Sequence, residues 1–565
     1  MYYSEFVEVY ENLAGTTKRL EKTTILAEFL KKLRQKGKSE WIYLLIGKVT
    51  ADYDTREFGI SGQLMIKALA SAYGIKTDSV VERFKKVGDL GEIAKEFSEK
   101  RKQAALFTSK LNVGKVFENL KKMFTVEGKG SVERKIALIS ELLASASGNE
   151  SKYIVRTVLN DLRIGVSTPT LVDSLAETFF SDKKEEAAEK LQESYDISND
   201  FALIFEYASK EELKELSKIT LVPERPINVM LAVKVSSIDE AFEVCGKPAA
   251  IEEKYDGFRV LVSKDNKGKI MLFTRRLENV TNQFPDVVSA IEEGVKGDSF
   301  ILDSEIVGYN PKSKRYTPFE SISQRIKRKY DIDKLVKELP VEIDIFDCVY
   351  YNGKSMINEP FVERRKIVEK IITKKELVIR PSVMLITDSD EKAQEFYEAA
   401  LKIGEEGIMM KNLNAPYKQG RRVGYMVKLK PEIKDIDLVI VGAEHGTGKR
   451  AGWLTSYIVA CRFGDKLLEI GKVSSGLKEK EEEGTTYEEM TRLLKPLKIE
   501  EKDNIIRVKP KIVVSVTYQN IQQSPSYSSG YALRFPRITN YRPDRSVKDI
   551  TTFEEIKREI KKGKR

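Results

Sequence analysis

Apolar residues recur at helical spacing through roughly the first 220 positions, as in Thr24–Leu33 and Arg134–Leu143. A proline-bearing linker, Leu221–Pro226, then breaks the pattern. From there to about Lys430, short alternating runs interleave with helical ones such as Glu391–Ile403. Beyond Lys430 the chain reads as short strands separated by glycine turns: Asp437–Ala443, Ser456–Arg462, Lys466–Val473 and Ile512–Tyr518. A basic helix, Phe553–Lys561, closes the sequence. The pattern predicts a multidomain protein. An all-α domain spans 1–220, an α/β domain with mixed sheets 221–430, and a small β-barrel 431–565.

Composition narrows the classes. A chain of 565 residues exceeds what one core supports. Lys and Arg number 97 against 87 Asp and Glu, a net charge of +10 that fits a polyanionic partner or a mixed solvated surface. The three cysteines, Cys245, Cys348 and Cys461, lie too far apart for a disulfide framework or a four-cysteine zinc site. His445 is the single histidine, so chemistry must rest on lysine, carboxylates and a hard cation. No run is long enough to span a bilayer, and the amino terminus lacks a basic-then-apolar leader; a soluble intracellular protein is expected. Charged residues at 33% with few cysteines suit a thermophile.

Candidate chemistry starts at Glu252–Arg259, which contains a Lys-x-Asp-Gly-x-Arg box headed by Lys254. Ala249–Lys254 reads as a strand running into a turn at Asp256-Gly257, so Glu252 and Lys254 share a face. The plain alternative is a strand end with solvated charges. Downstream, five segments place charges where a scaffold needs none. They are Leu272–Asn279 with Arg275, Ser299–Val307 with Asp303 and Glu305, Glu342–Asp347 around Phe346, Glu405–Lys411 with Glu406, and Met426–Lys430. In the last, Lys428 and Lys430 face one way, Val427 and Leu429 the other.

These segments, followed by Ala532–Arg537 with Arg542, Asp544 and Arg545, resemble in order the six motifs of the ATP-dependent DNA ligases, closest to the archaeal type. The resemblance covers the whole chain and implies an OB-fold for the terminal barrel. It implies that Lys254 is the catalytic nucleophile, attacking the α-phosphate of ATP to form lysine-linked AMP. The AMP then passes to the 5′-phosphate of nicked duplex DNA, and the 3′-hydroxyl displaces it. Such enzymes serve DNA replication, repair and recombination. By the same resemblance Glu252 meets the adenine amino group, Phe346 stacks on adenine, Glu305 holds the ribose, and Arg259 and Arg275 hold ribose and phosphate. Arg422, Lys428 and Lys430 contact phosphates; Glu305 and Glu406 stand near magnesium or manganese. Phe346 as a core phenylalanine and Lys428–Lys430 as a surface strand face are the bland readings.

The turn after Tyr153–Leu162 carries Arg163 and Gly165, the latter suited to a helix stop, with Thr168 as cap before Pro169. The turn reads as a helical hairpin or, by resemblance, a DNA contact. Gln103, Leu106 and Phe107 form a shortened glutamine–aliphatic–aromatic box like that by which replication proteins dock on the sliding clamp; an anchor to the helical core is the alternative. The protein is expected to act as a cytoplasmic, nucleoid-associated monomer. An RNA ligase or capping-type nucleotidyltransferase is the rival, disfavoured by the long helical region. Two departures are Arg545 where the family often has lysine, and Tyr425 where tryptophan is usual.

Overall fold

The computed structural model describes residues 1–102, 110–326, 328, 330–420, 423–431, 435–446, 450, 452–479, 485–502 and 504–562. Two compact units emerge, Met1–Pro431 and Glu432–Arg565.

The first 220 residues are helical, around one apolar core that runs from Tyr3 to Ile219. Local sequence sets the helix ends. Ser147 and Glu150 form a reciprocal cap on Gly148–Val158, and the Asp200 carboxylate caps Phe201–Ala208. The expected stop at Gly165 needs correction. That helix ends at Val158, because Asn160 and then Arg163 enter the left-handed region (φ +54° and +57°). The next helix, Thr168–Phe179, is preceded by Ser167 rather than capped by Thr168. Leu221–Pro226 is likewise no free linker. Leu221, Ile227, Val229 and Met230 are buried, and the Pro223 and Pro226 carbonyls accept from Ser263 Oγ and Asn199 Nδ2.

Twelve strands follow among the described residues of the first unit: β1 Val233–Val235, β2 Ala249–Lys254, β3 Phe258–Lys264, β4 Ile270–Thr274, β5 Phe300–Tyr309 and β6 Tyr316–Thr317. The rest are β7 Val341–Tyr351, β8 Lys354–Ser355, β9 Ile379–Pro381, β10 Met384–Thr387, β11 Gly407–Asn412 and β12 Met426–Leu429. One sheet runs β1-β12-β11-β2-β10; the other runs β4-β3-β5-β7-β8, with β6 on β5 and β9 on β7. Alternation divides each strand between a core and a cleft. In the first sheet Ala249, Ile251, Ile408, Met410, Val427 and Leu429 pack under the helices Ile238–Cys245 and Asp390–Ile403. That turns Glu252, Lys254, Met409, Lys411, Met426 and Lys428 the other way. In the second sheet Phe300, Leu302, Ile306, Ile343 and Ile345 enter a separate core, leaving Asp303 and Glu305 on the opposite face.

Among the described residues the second unit is mostly strand, with two α-helices, Tyr487–Leu494 and Phe553–Lys562, and the short 3-10 turn Lys495–Leu497. Its long strand β13, Ile436–His445, pairs with β14, Leu454–Phe463, which pairs in turn with β15, Lys466–Val473. On its other edge β13 meets Val513–Thr517 near its start and Ile505–Val508 near its end. One strand shared by two partners bends the sheet into the small barrel of an OB-fold.

Candidate active site

The cleft faces of the two sheets enclose a cavity of about 820 Å³. It is lined by Glu252, Lys254, Arg259, Arg275, Glu305, Phe346 and Lys428, among others. The structure thus brings together seven of the predicted site residues. Lys430 joins them through Glu406, whose carboxylate pairs with Lys254 at 2.5 Å and also with Lys430. Arg422, Gln103, Leu106 and Phe107 lie outside the described residues.

Phe346 owes its orientation to a bulge. Opposite β5, Asp347 faces Asp303 and Ile345 faces Ser304, so Phe346 has no partner in the ladder. A bulged residue is free to turn. Phe346 is half-buried, with Lys411 Nζ 4.5 Å and the Arg259 guanidinium 5.4 Å from its ring centre. The Asp256–Gly257 turn passes flush against β5: a side chain at Gly257 would meet the Ile306 carbonyl at 2.3 Å.

Electrostatics separate the carboxyls. Burial pushes Glu305 up to about 8, against the pull of Lys254 and Arg259. Burial acts on Glu406 in the same sense, yet Lys254 and Lys430 outweigh it and hold that group at about 2. Burial, then the Lys254 charge, lowers Lys430. Lys254 and Lys430 beside the one ionised carboxylate of Glu406 leave the region net positive, which suits phosphate groups. Among the described residues no three His, Cys, Asp or Glu side chains cluster as metal ligands. The donor set of Glu305 and Glu406 therefore fits a cation that keeps its water and takes phosphate oxygens, as magnesium does.

Several supporting residues escaped the sequence reading. Arg259 donates from Nε and Nη2 to both oxygens of Asp303 (2.8 and 2.5 Å) and from Nη1 to the Met230 carbonyl (2.7 Å). Tyr417 Oη donates to Asp303 at 2.5 Å and accepts from the Met230 amide. Glu252, only 2% exposed, accepts from Ser382 Oγ (2.8 Å) and Arg365 (3.1 Å) and pairs with Lys411. Lys411 ends a quoted segment; Arg365, Ser382 and Tyr417 stood in no motif, and their burial carries no local signal. Away from the cavity, Arg163 forks onto Asp161 and Asp89. Gly165, at φ +63°, lets Lys22 Nζ approach to where a Cβ would stand.

Comparison with known proteins places the chain in a family. The family models described as DNA ligase N terminus, ATP dependent DNA ligase domain and ATP dependent DNA ligase C terminal region match residues 2–176, 229–430 and 450–545. A DNA ligase of Nanoarchaeum equitans is 44% identical over 569 residues, covering 100% of this chain and 99% of its own. One from Methanocaldococcus jannaschii is 38% identical over 588 residues, covering 100% of both. The solved structure Pmar-Lig_Pre shares the fold at a TM-score of 0.58 and 16% identity, over 95% of this chain and 99% of that one. The chain belongs to the ATP-dependent DNA ligase family.

Proposed function

We propose that this protein seals nicks in duplex DNA at the expense of ATP, in replication, repair and recombination. The observation that supports it most is the Lys254 amine at the cavity wall, paired with Glu406, whose carboxylate also pairs with Lys430. In the first step the neutral amine attacks the α-phosphorus; a P–N bond forms, the bond to pyrophosphate breaks, and the amine's proton leaves to solvent. A 5′-phosphate oxygen then takes the AMP and releases the lysine. The 3′-hydroxyl oxygen finally attacks the 5′-phosphorus and AMP departs.

In this reading Glu252 receives the adenine amino group, and Phe346 stacks on the ring. Glu305 takes the ribose hydroxyls, while Arg259, Arg275, Arg422, Lys428 and Lys430 face ribose and phosphates. Arg259 keeps two of its five N–H groups for that purpose once Asp303 and Met230 are served. Magnesium or manganese, held by Glu305 and Glu406, would supply charge neutralisation at the phosphates. We take 1–220 as the DNA-binding domain, contacting the duplex through Arg163 and Gly165, 221–430 as the adenylation domain and 431–565 as the OB-fold domain. The enzyme acts as a cytoplasmic, nucleoid-associated monomer; no helix among the described residues is long and apolar enough to cross a membrane.

Incubation with ATP labelled at the α-phosphate is the first test: label should appear on Lys254, and joining should favour nicked DNA over nicked RNA. Preference for nicked RNA would move the protein to the RNA ligases. A sliding clamp is the proposed partner, through Gln103, Leu106 and Phe107. There, Leu106→Ala with Phe107→Ala should remove clamp stimulation and spare basal joining; loss of basal activity or folding would favour a core anchor.

A further inference from the structure

Two consecutive acids serve the loop that carries Lys254, and only one of them belongs to the cavity's charge network. Glu406 pairs with the lysine side chain, and its own amide donates to the Lys254 carbonyl at 2.9 Å. Glu405 does not line the cavity and is 6% exposed. Its Oε2 accepts the Asp256 amide at 3.2 Å, and its Oε1 has no hydrogen-bond partner among the described residues. A buried carboxyl with one oxygen unpaired is expensive to hold. The one hydrogen bond it makes among the described residues falls on the turn that follows the lysine.

That turn has no slack on its other side. Gly257 is pressed against the Ile306 carbonyl and lies within 3.0 Å, by its absent Cβ, of Glu305 Cγ. The height of the Asp256–Gly257 turn therefore sets how Lys254 stands relative to Glu305 and Glu406. A part-buried turn amide without its acceptor would seek another partner and shift the turn.

We propose that Glu405 is a positioning residue for adenylation, fixing the Asp256 amide so that the Lys254 amine meets the α-phosphate in line. This rests on the reading of Lys254 as the nucleophile. What the position requires is an acceptor oxygen, so glutamine should serve and methionine, of similar size, should not.

The test uses the full chain. Glu405→Met and Glu405→Gln are each given α-labelled ATP with magnesium under single-turnover conditions, then a nick carrying a preformed 5′-adenylate without ATP. Glu405→Met should slow Lys254 labelling about tenfold or more, with little change in the ATP concentration at half-maximal rate. Glu405→Gln should recover labelling to within about threefold, and both variants should seal the adenylated nick nearly as the parent does. Parental labelling by Glu405→Met overturns the proposal, as does failure of glutamine to rescue. An equal fall in labelling and sealing also overturns it, because general loss of structure would then suffice. A Lys254→Ala control separates the two readings: label persisting there defeats the nucleophile assignment itself.

Discussion

Lys254 and Glu406 form an ion pair of 2.5 Å, and the same carboxylate also pairs with Lys430. Two lysines on one acid leave that region with a net positive charge suited to a triphosphate. Lys254→Ala should abolish AMP labelling and nick joining while leaving the melting temperature almost unchanged. The side chain is 20% exposed, and Glu406 retains Lys430 as a partner. Persistent labelling in the variant would place the nucleophile elsewhere.

Phe346 offers a second test, on nucleotide affinity. Phe346→Ala should raise the ATP concentration at half-maximal labelling by about tenfold, since base stacking on an aromatic ring contributes ~1–3 kcal/mol. A lower melting temperature with unchanged ATP dependence would mark Phe346 as a packing residue only.

Stability should depend on the buried pair of Arg364 and Asp347, joined at 2.7 and 3.0 Å. Arg364 also donates to the Glu359 and Ala415 carbonyls. Arg364→Met should cost about 3–5 kcal/mol in denaturant unfolding, because it strands a buried carboxylate. Burial opposes ionisation of Asp347, but Arg364 outweighs it and lowers that group. A lowered folded value stabilises above the unfolded value near 4 and loses that contribution as pH falls through the folded one. The acid side of the stability profile should therefore flatten in the variant. An unchanged profile would assign the acid sensitivity to other groups.

DNA binding should weaken steeply with salt, through counterion release on a chain of net charge +10. It should also need the helical region. A fragment beginning at Leu221 that bound a nicked duplex as tightly as the whole chain would remove the role assigned to residues 1–220.

Periodicity told helices from strands and put Glu252 and Lys254 on a common face, because alternation is a local property of the backbone. The resemblance of these ordered segments, also local, named the family. Which acid answers which base was not local. Glu252 meets Arg365, 113 residues away, and Arg259 meets Asp303 and Met230 through sheet pairing and the buried stretch that follows the linker Leu221–Pro226. The bulge that frees Phe346 depends on the register of β7 against β5, and the role of Glu405 on where a distant turn amide comes to rest. Charge patterns look alike on a solvated face and in a buried network, and burial, which only tertiary packing decides, makes Arg365, Asp347 and Glu405 partners rather than surface charges.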